Sequence, residues 1–203
     1  MNYTGPKVRL SRKLGVALTP KAERIMQKKN NPPGQHGGAQ RSRKVSVYKR
    51  QLMEKQLVRH FYNIHERQLR NVFRKAARMT SNTADGMIAL LEARLDSVVA
   101  RSGIARTIYA ARQYVVHGHI QVNGKKVDIP SYVLKVGDVV SVREKSKTLK
   151  CFVDSMDAAA NTPSYIELER DKMSAKMTTM PKREDIPVIK NSDISLVVEF
   201  YAR

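Results

Sequence analysis

The sequence has one cysteine, Cys151. It therefore builds no disulfide framework and no cysteine zinc cluster within the chain. Cys151 is expected as a small buried apolar residue. No run of about 18 apolar residues is present, the length a membrane-spanning helix requires. The opening Met1-Asn2-Tyr3-Thr4-Gly5-Pro6 lacks the apolar stretch of a signal peptide, so the protein is expected to stay where it is made, with no membrane partner. There is no GxxxxGK phosphate loop and no Ser-His-Asp order. His36, His60, His65, His117 and His119 have no cysteine or paired acid at ligand spacing, so neither a metal nor another cofactor is expected. No residue is assigned a catalytic role.

Acids are also scarce where bases are dense. Residues 1 to 80 hold 20 Lys or Arg against Glu23, Glu54 and Glu66, a net of +17, out of +20 for all 203 residues. The remaining chain carries 18 basic against 15 acidic residues and is close to balanced. A segment so uncompensated repels itself unless an anion neutralises it, and a nucleic acid is the first candidate. With 41% hydrophobic residues, the chain still has enough apolar material to bury a core.

Residues 1–45 combine basic residues with Gly and Pro, and Asn30-Asn31-Pro32-Pro33-Gly34-Gln35-His36-Gly37-Gly38 must be irregular. This stretch reads as a basic arm that orders on RNA, with a short helix over 21–28 after Thr19-Pro20. Helices are expected over 46–62 and 65–79. In the second, Leu69, Val72, Phe73, Ala76 and Ala77 form an apolar stripe. Arg67, Arg70, Arg74 and Arg78 fall on the opposite face, a row of guanidinium groups suited to phosphate. A helix capped at Thr83 runs to about Arg94, a short one covers 95–101, and another starts after Thr107 and ends at His117-Gly118. Ile120 to Val122 and Lys126 to Asp128 read as a hairpin around Asn123-Gly124, whose residues tolerate positive φ. Val139 to Val142 reads as a strand, 148–160 as a helix, 165–180 as strand pieces, and Ser195 to Tyr201 as a terminal strand. Leu95, Val98, Val99, Ala111, Val115, Ile120 and Val122 are assigned to the core. Tyr48 and Tyr62 are equally suited to stacking on bases and to packing against the helices.

The residues Leu95-Asp96, Arg101, Gly103, Ala111-Arg112-Gln113, His119-Ile120-Gln121-Val122-Asn123-Gly124, Ile129-Pro130-Ser131-Tyr132 and Val136-Gly137-Asp138 resemble, over 95–142, the RNA-binding module named after small-subunit ribosomal protein four. Tyr3-Thr4-Gly5-Pro6, Leu10-Ser11-Arg12, Pro33-Gly34-Gln35-His36-Gly37, Glu54-Lys55-Gln56, Glu66-Arg67-Gln68 and Val197-Val198-Glu199-Phe200-Tyr201 extend the resemblance to the bacterial or organellar family of that ribosomal protein, across nearly the whole chain. The implied fold is α+β: a helical N-terminal domain completed by the C-terminal segment, with an inserted module of short helices packed on a small, mainly antiparallel sheet. The expected division is a basic arm over 1–45, a helical domain over 46–94, the module over 95–160, and a segment over 161–203 that returns to the first domain.

The resemblance implies a non-enzymatic constituent of the small subunit that binds its RNA early and nucleates the particle body. The partners it implies are ribosomal RNA, small-subunit protein five with an influence on accuracy, and messenger RNA, with no self-oligomer. An RNA-binding assembly or rescue factor built on the same module is the alternative function. The RNA-binding residues expected are Lys7, Arg9, Ser11, Arg12, Lys13, Gln35, His36, Lys55, Arg59, Arg67, Arg70, Arg74 and Arg78, followed by Arg94, Arg101, Arg106, Arg112, Gln113, His117, Lys125 and Lys126. Arg41, Arg43 and Lys44 are assigned to the messenger entry channel. The chain departs from the family pattern in three ways. Ile108 follows Thr107 where an arginine is usual, N-terminal zinc-binding cysteines are absent, and the stretch from Gly37 to Tyr48 is slightly longer.

Overall fold

The structure is a computed structural model that describes residues 3–29, 31–35, 37, 45–79, 82–157, 162–182, 185–186 and 193–202. It forms two compact units, residues 1–74 with 191–203, and residues 75–190.

In the first unit, helix α1 (Lys7–Leu14) and helix α2 (Pro20–Lys28) lie within the region expected as a basic arm, α2 close to the helix expected over 21–28 and α1 an addition to it. Gly15 ends α1 at φ 74°, and the Thr19 hydroxyl caps α2 by accepting from the Ala22 amide. The buried Ser11 fixes the first turn between them, donating to the Lys7 carbonyl at 2.9 Å and accepting from the Leu18 amide at 3.2 Å. Helix α3 (Val47–Phe61) and helix α4 (Glu66–Ala76) follow. The stripe on α4 buries Leu69 and Ala76, leaves Val72 and Phe73 half-buried, and leaves Ala77 exposed beyond the helix end.

The terminal apolar run is not a strand. It forms a helix over Ile194–Ala202, and packs along α3 with Ile194 and Val197 buried. β-branched residues raise strand propensity only modestly, and the partner surface on α3 decides the outcome.

The second unit begins with helix α5 (Thr83–Glu92), helix α6 (Leu95–Arg101) and helix α7 (Ile108–Val116). The cap of α5 is Asn82 rather than Thr83, and its side chain accepts from the Ala84 amide. Thr107 caps α7 as expected, accepting from the Ala110 amide at 3.2 Å. Strands β1 (Ile120–Val122), β2 (Lys125–Lys126) and β3 (Val139–Val142) come next. They are followed by helix α8 (Glu144–Lys147), helix α9 (Lys150–Asp157), strand β4 (Ile166–Glu169) and strand β5 (Ser174–Met177). The terminal helix over Ile194–Ala202 is α10 in chain order.

Among the described residues the strands make one antiparallel sheet, ordered β2-β1-β3-β5-β4. Val140 sits opposite Val122 on one side and Ala175 on the other. Because β4 and β5 extend this sheet, the chain from 166 to 177 belongs with the module, and the return to the first unit comes only at α10. That differs from the return expected from residue 161. The hairpin turn has Asn123 at φ 49° and Gly124 at φ 78°, the geometry expected of Asn-Gly. All seven residues assigned to the core are buried there with Ile104, Leu134, Phe152, Tyr165 and Met177. Cys151, expected in a core, is exposed on α9, where its neighbour Phe152 takes the buried position.

Candidate nucleic-acid interface

The dominant basic feature of the first unit is α4. Arg67, Arg70 and Arg74 are exposed at the spacing of one helical face. They line, with Glu66 and Asn71, a shallow open concavity of about 470 Å³. Among the described residues none of the three takes an ion pair. Arg9 and Lys13 of α1 are exposed, Lys7 is half-buried, and Gln35 is exposed beyond the two prolines. Arg12 donates from Nε to the Asn31 carbonyl at 3.0 Å, tying α1 to the Pro-rich loop. Arg59 is half-buried and donates from Nη1 to Gln56 Oε1 at 3.2 Å. His36, Arg41, Arg43 and Lys44 lie outside the described residues.

Two expected contacts of this unit are internal. Ser11 is buried within the α1–α2 turn. Lys55, 7% exposed, has its ammonium 3.1 Å from Glu66 Oε1 and 4.3 Å from the centre of the Phe200 ring. Glu66 Oε1 also accepts from the Tyr201 hydroxyl at 2.7 Å, and Gln51 donates to Glu199 at 3.0 Å. This polar seam joins α3, α4 and α10. Burial works against the Glu66 carboxylate, but the Tyr201 hydroxyl and the Lys55 ammonium outweigh it and hold its pKa below the usual range. Burial pushes the Tyr201 phenol up, and its bond to the Glu66 carboxylate adds to this. Of the two tyrosines left open, Tyr62 is buried in the helical core, whereas Tyr48 is exposed with its ring 6.0 Å from that of Phe200. His60 is buried against Tyr3. Its pKa is lowered to about 4 by burial and by the charges of Arg59 and Lys13.

In the second unit the expected arginines separate into two groups. Arg94 is 5% exposed and grips Asp96 with both ends of its guanidinium, and Arg112 adds a bond to Asp96 Oδ2 at 3.3 Å. Arg101 makes a forked contact with the fully buried Glu92, whose Oε2 accepts from the Tyr165 hydroxyl at 2.9 Å. These pairs lock α5, α6 and α7 together. The side chain of Arg94, expected on the RNA, is buried in this ion pair, while Arg101 and Arg112 keep only an edge at the surface. Burial lifts the Asp96 carboxyl above its usual range, with Arg94 and Arg112 opposing. Burial also raises the Tyr165 phenol, reinforced by the neighbouring Glu92. In the sequence Asp96 stands out only as part of the family pattern and Glu92 not at all, because neither spacing nor composition marks an acid as the partner of a distant arginine.

The exposed group comprises Arg106 just before the cap of α7, Gln113 on α7, His117 at its C-terminal end, and Lys125 and Lys126 of the hairpin. The end of the Lys126 side chain lies over Gly118, which has φ 70°. The hairpin bases are thereby set against the end of α7. Arg143, unmarked in the sequence, joins them by donating from Nη1 to the Gly118 carbonyl at 3.1 Å. His119 meets the Ser146 hydroxyl at 2.9 Å and is held below its ordinary pKa by burial and then by His117 and Arg143.

Helices packed on a small antiparallel sheet, with Arg106, Lys125 and Lys126 exposed, suit an RNA-binding module. Residues 2–92 match the family described as "Ribosomal protein S4/S9 N-terminal domain", and residues 93–140 match the "S4 domain". The chain is similar over its whole length to "Small ribosomal subunit protein uS4" of Thermobifida fusca (47% identical, 100% of both chains). It is 44% identical to that of Geobacillus stearothermophilus, over 99% of this chain and 98% of the relative, and 45% identical to that of Streptomyces coelicolor, over 100% and 99%. The chain belongs to the family of small ribosomal subunit protein uS4. It is a structural constituent of the small ribosomal subunit and not an enzyme.

Proposed function

We propose that the chain is a primary binder of small-subunit ribosomal RNA that nucleates assembly of the subunit body, using one basic surface on each unit. Arg67, Arg70 and Arg74 of α4 form the first. Arg106, Gln113, His117, Lys125 and Lys126 form the second. The observation that supports this is the separation of roles among the cations: Lys55, Arg94, Arg101 and Arg112 are held by carboxylates, whereas these side chains are exposed.

Guanidinium groups at helical spacing meet successive phosphates with forked hydrogen bonds and release condensed counterions. The α7 and hairpin edge follows the shape of a folded RNA through phosphates and 2′-hydroxyls. Arg94, Arg101 and Arg112 are positioning residues that keep α6 and α7 at the angle this edge requires.

In the same reading Lys7, Arg9, Arg12, Lys13, Gln35, His36, Arg59 and Arg78 add contacts. Arg41, Arg43 and Lys44 border the messenger entry channel, and small-subunit protein five is a neighbour through which accuracy is influenced. The site of action is the ribosome of a bacterial cytoplasm, supported by relatives of bacterial origin. Sedimentation of a cell extract in moderate salt tests the role. Stoichiometric presence in small subunits and translating ribosomes is expected, and recovery only in light or pre-subunit fractions overturns it.

A further inference from the structure

The concavity on α4 contains one group that phosphate binding does not explain. Glu66 lies among Arg67, Arg70, Asn71 and Arg74, and a carboxylate repels a phosphate. Its Oε1 accepts from both Lys55 and Tyr201 and its side chain is 34% exposed, which makes Oε2 the candidate acceptor for a ligand. That ligand must carry a hydrogen-bond donor as well as negative charge. The space, about 470 Å³, is open to solvent, and its described lining residues all come from α4. A nucleotide brings all of these features: a phosphate for the guanidinium groups, a flat ring for an arginine to stack on, and a base edge.

We propose that this concavity takes one unpaired RNA nucleotide whose base carries an exocyclic amino group, the amino group donating to Glu66 Oε2 and Asn71 bonding the adjoining base edge. Adenine, cytosine and guanine have such a donor. The N–H of uracil lies between two carbonyl oxygens that a carboxylate repels. The RNA itself closes the open side. The inference rests on the reading of α4 as an RNA-binding face.

The test uses four RNA hairpins that differ only in a single bulged nucleotide, bound to the whole chain at fixed salt and followed by fluorescence anisotropy. The wild type is expected to bind the adenine, cytosine and guanine bulges about tenfold more tightly than the uracil bulge, a difference of about 1.4 kcal/mol. Glu66→Gln, which offers an amide N–H to a uracil carbonyl, should reverse or erase the preference. Asn71→Ala, at an exposed position, should reduce it and keeps the test open if the Glu66 variant does not fold. Equal binding of the four hairpins overturns the proposal, as does a preference that both variants leave intact. If Arg67→Gln/Arg70→Gln/Arg74→Gln weakens all four equally in that case, the RNA-face reading survives. If that triple change weakens none of them, both fail.

Discussion

Arg94 and Asp96, two residues apart, are joined by a forked pair, with Nε donating to Oδ1 at 3.0 Å and Nη2 donating to Oδ2 at 2.8 Å, and both side chains are nearly solvent-free. Arg94 is also the N-cap of α6, and its backbone bridges to Val133. The pair therefore fixes the start of α6 against the loop before β3. Asp96→Ala leaves a guanidinium buried without its anion and should cost about 3–5 kcal/mol of unfolding free energy in urea titration. Replacing both partners, as Arg94→Met with Asp96→Leu, should recover most of that loss. A double variant no better than the single one contradicts the assignment of the pair to fold rather than RNA.

The hairpin turn depends on Asn123 twice. Its φ of 49° is a left-handed conformation, and its amide bonds the Asp138 carboxylate and the Val139 amide at 2.9 Å each. Asn123→Gly keeps the conformation and loses the bonds, costing about 1 kcal/mol. Asn123→Ala adds strain and should cost about 2 kcal/mol or more. Thermal unfolding of the two variants orders them; equal losses contradict the conformational part.

His60 makes stability depend on pH. Its folded pKa of about 4 lies below the unfolded value of 6.5, so the unfolded chain takes up the proton first. The contribution of the neutral imidazole is fully present above pH 6.5 and is lost as pH falls toward 4. The difference is roughly 2 kcal/mol after allowance for screening of the neighbouring Arg59 and Lys13 charges. Because Glu54, Glu66 and Asp96 also shift, the wild type is compared with His60→Phe. The unfolding free energy of the wild type minus that of the variant should fall as pH falls from 7 to 4, and a constant difference counts against the buried neutral histidine.

What the sequence reveals follows how local its signals are. Thr107 as a cap, Asn123-Gly124 as a turn and the spacing from Leu95 to Val122 each need only near neighbours, and each stands in the structure. The α10 helix depends on α3, more than a hundred residues away, and its β-branched residues pointed to a strand. Helix α1 is hidden because its few apolar residues sit among Lys7, Arg9, Arg12 and Lys13. The exposed arginines of α4 were legible from helical period alone. Lys55 and Arg94 looked the same in sequence, since a buried carboxylate partner leaves no local trace.

The central claim is that the exposed guanidinium row of α4 carries much of the RNA affinity. It is tested most directly by the salt dependence of binding to small-subunit ribosomal RNA, with Arg67→Gln/Arg70→Gln/Arg74→Gln set beside the wild type after both are shown to be folded. Each phosphate contact contributes about 0.7–0.9 to the slope of log Kobs against log salt. The triple variant should bind more weakly at every salt concentration, with a slope shallower by about 2. An unchanged affinity and slope would mean that this face is only solvated, and would contradict the account.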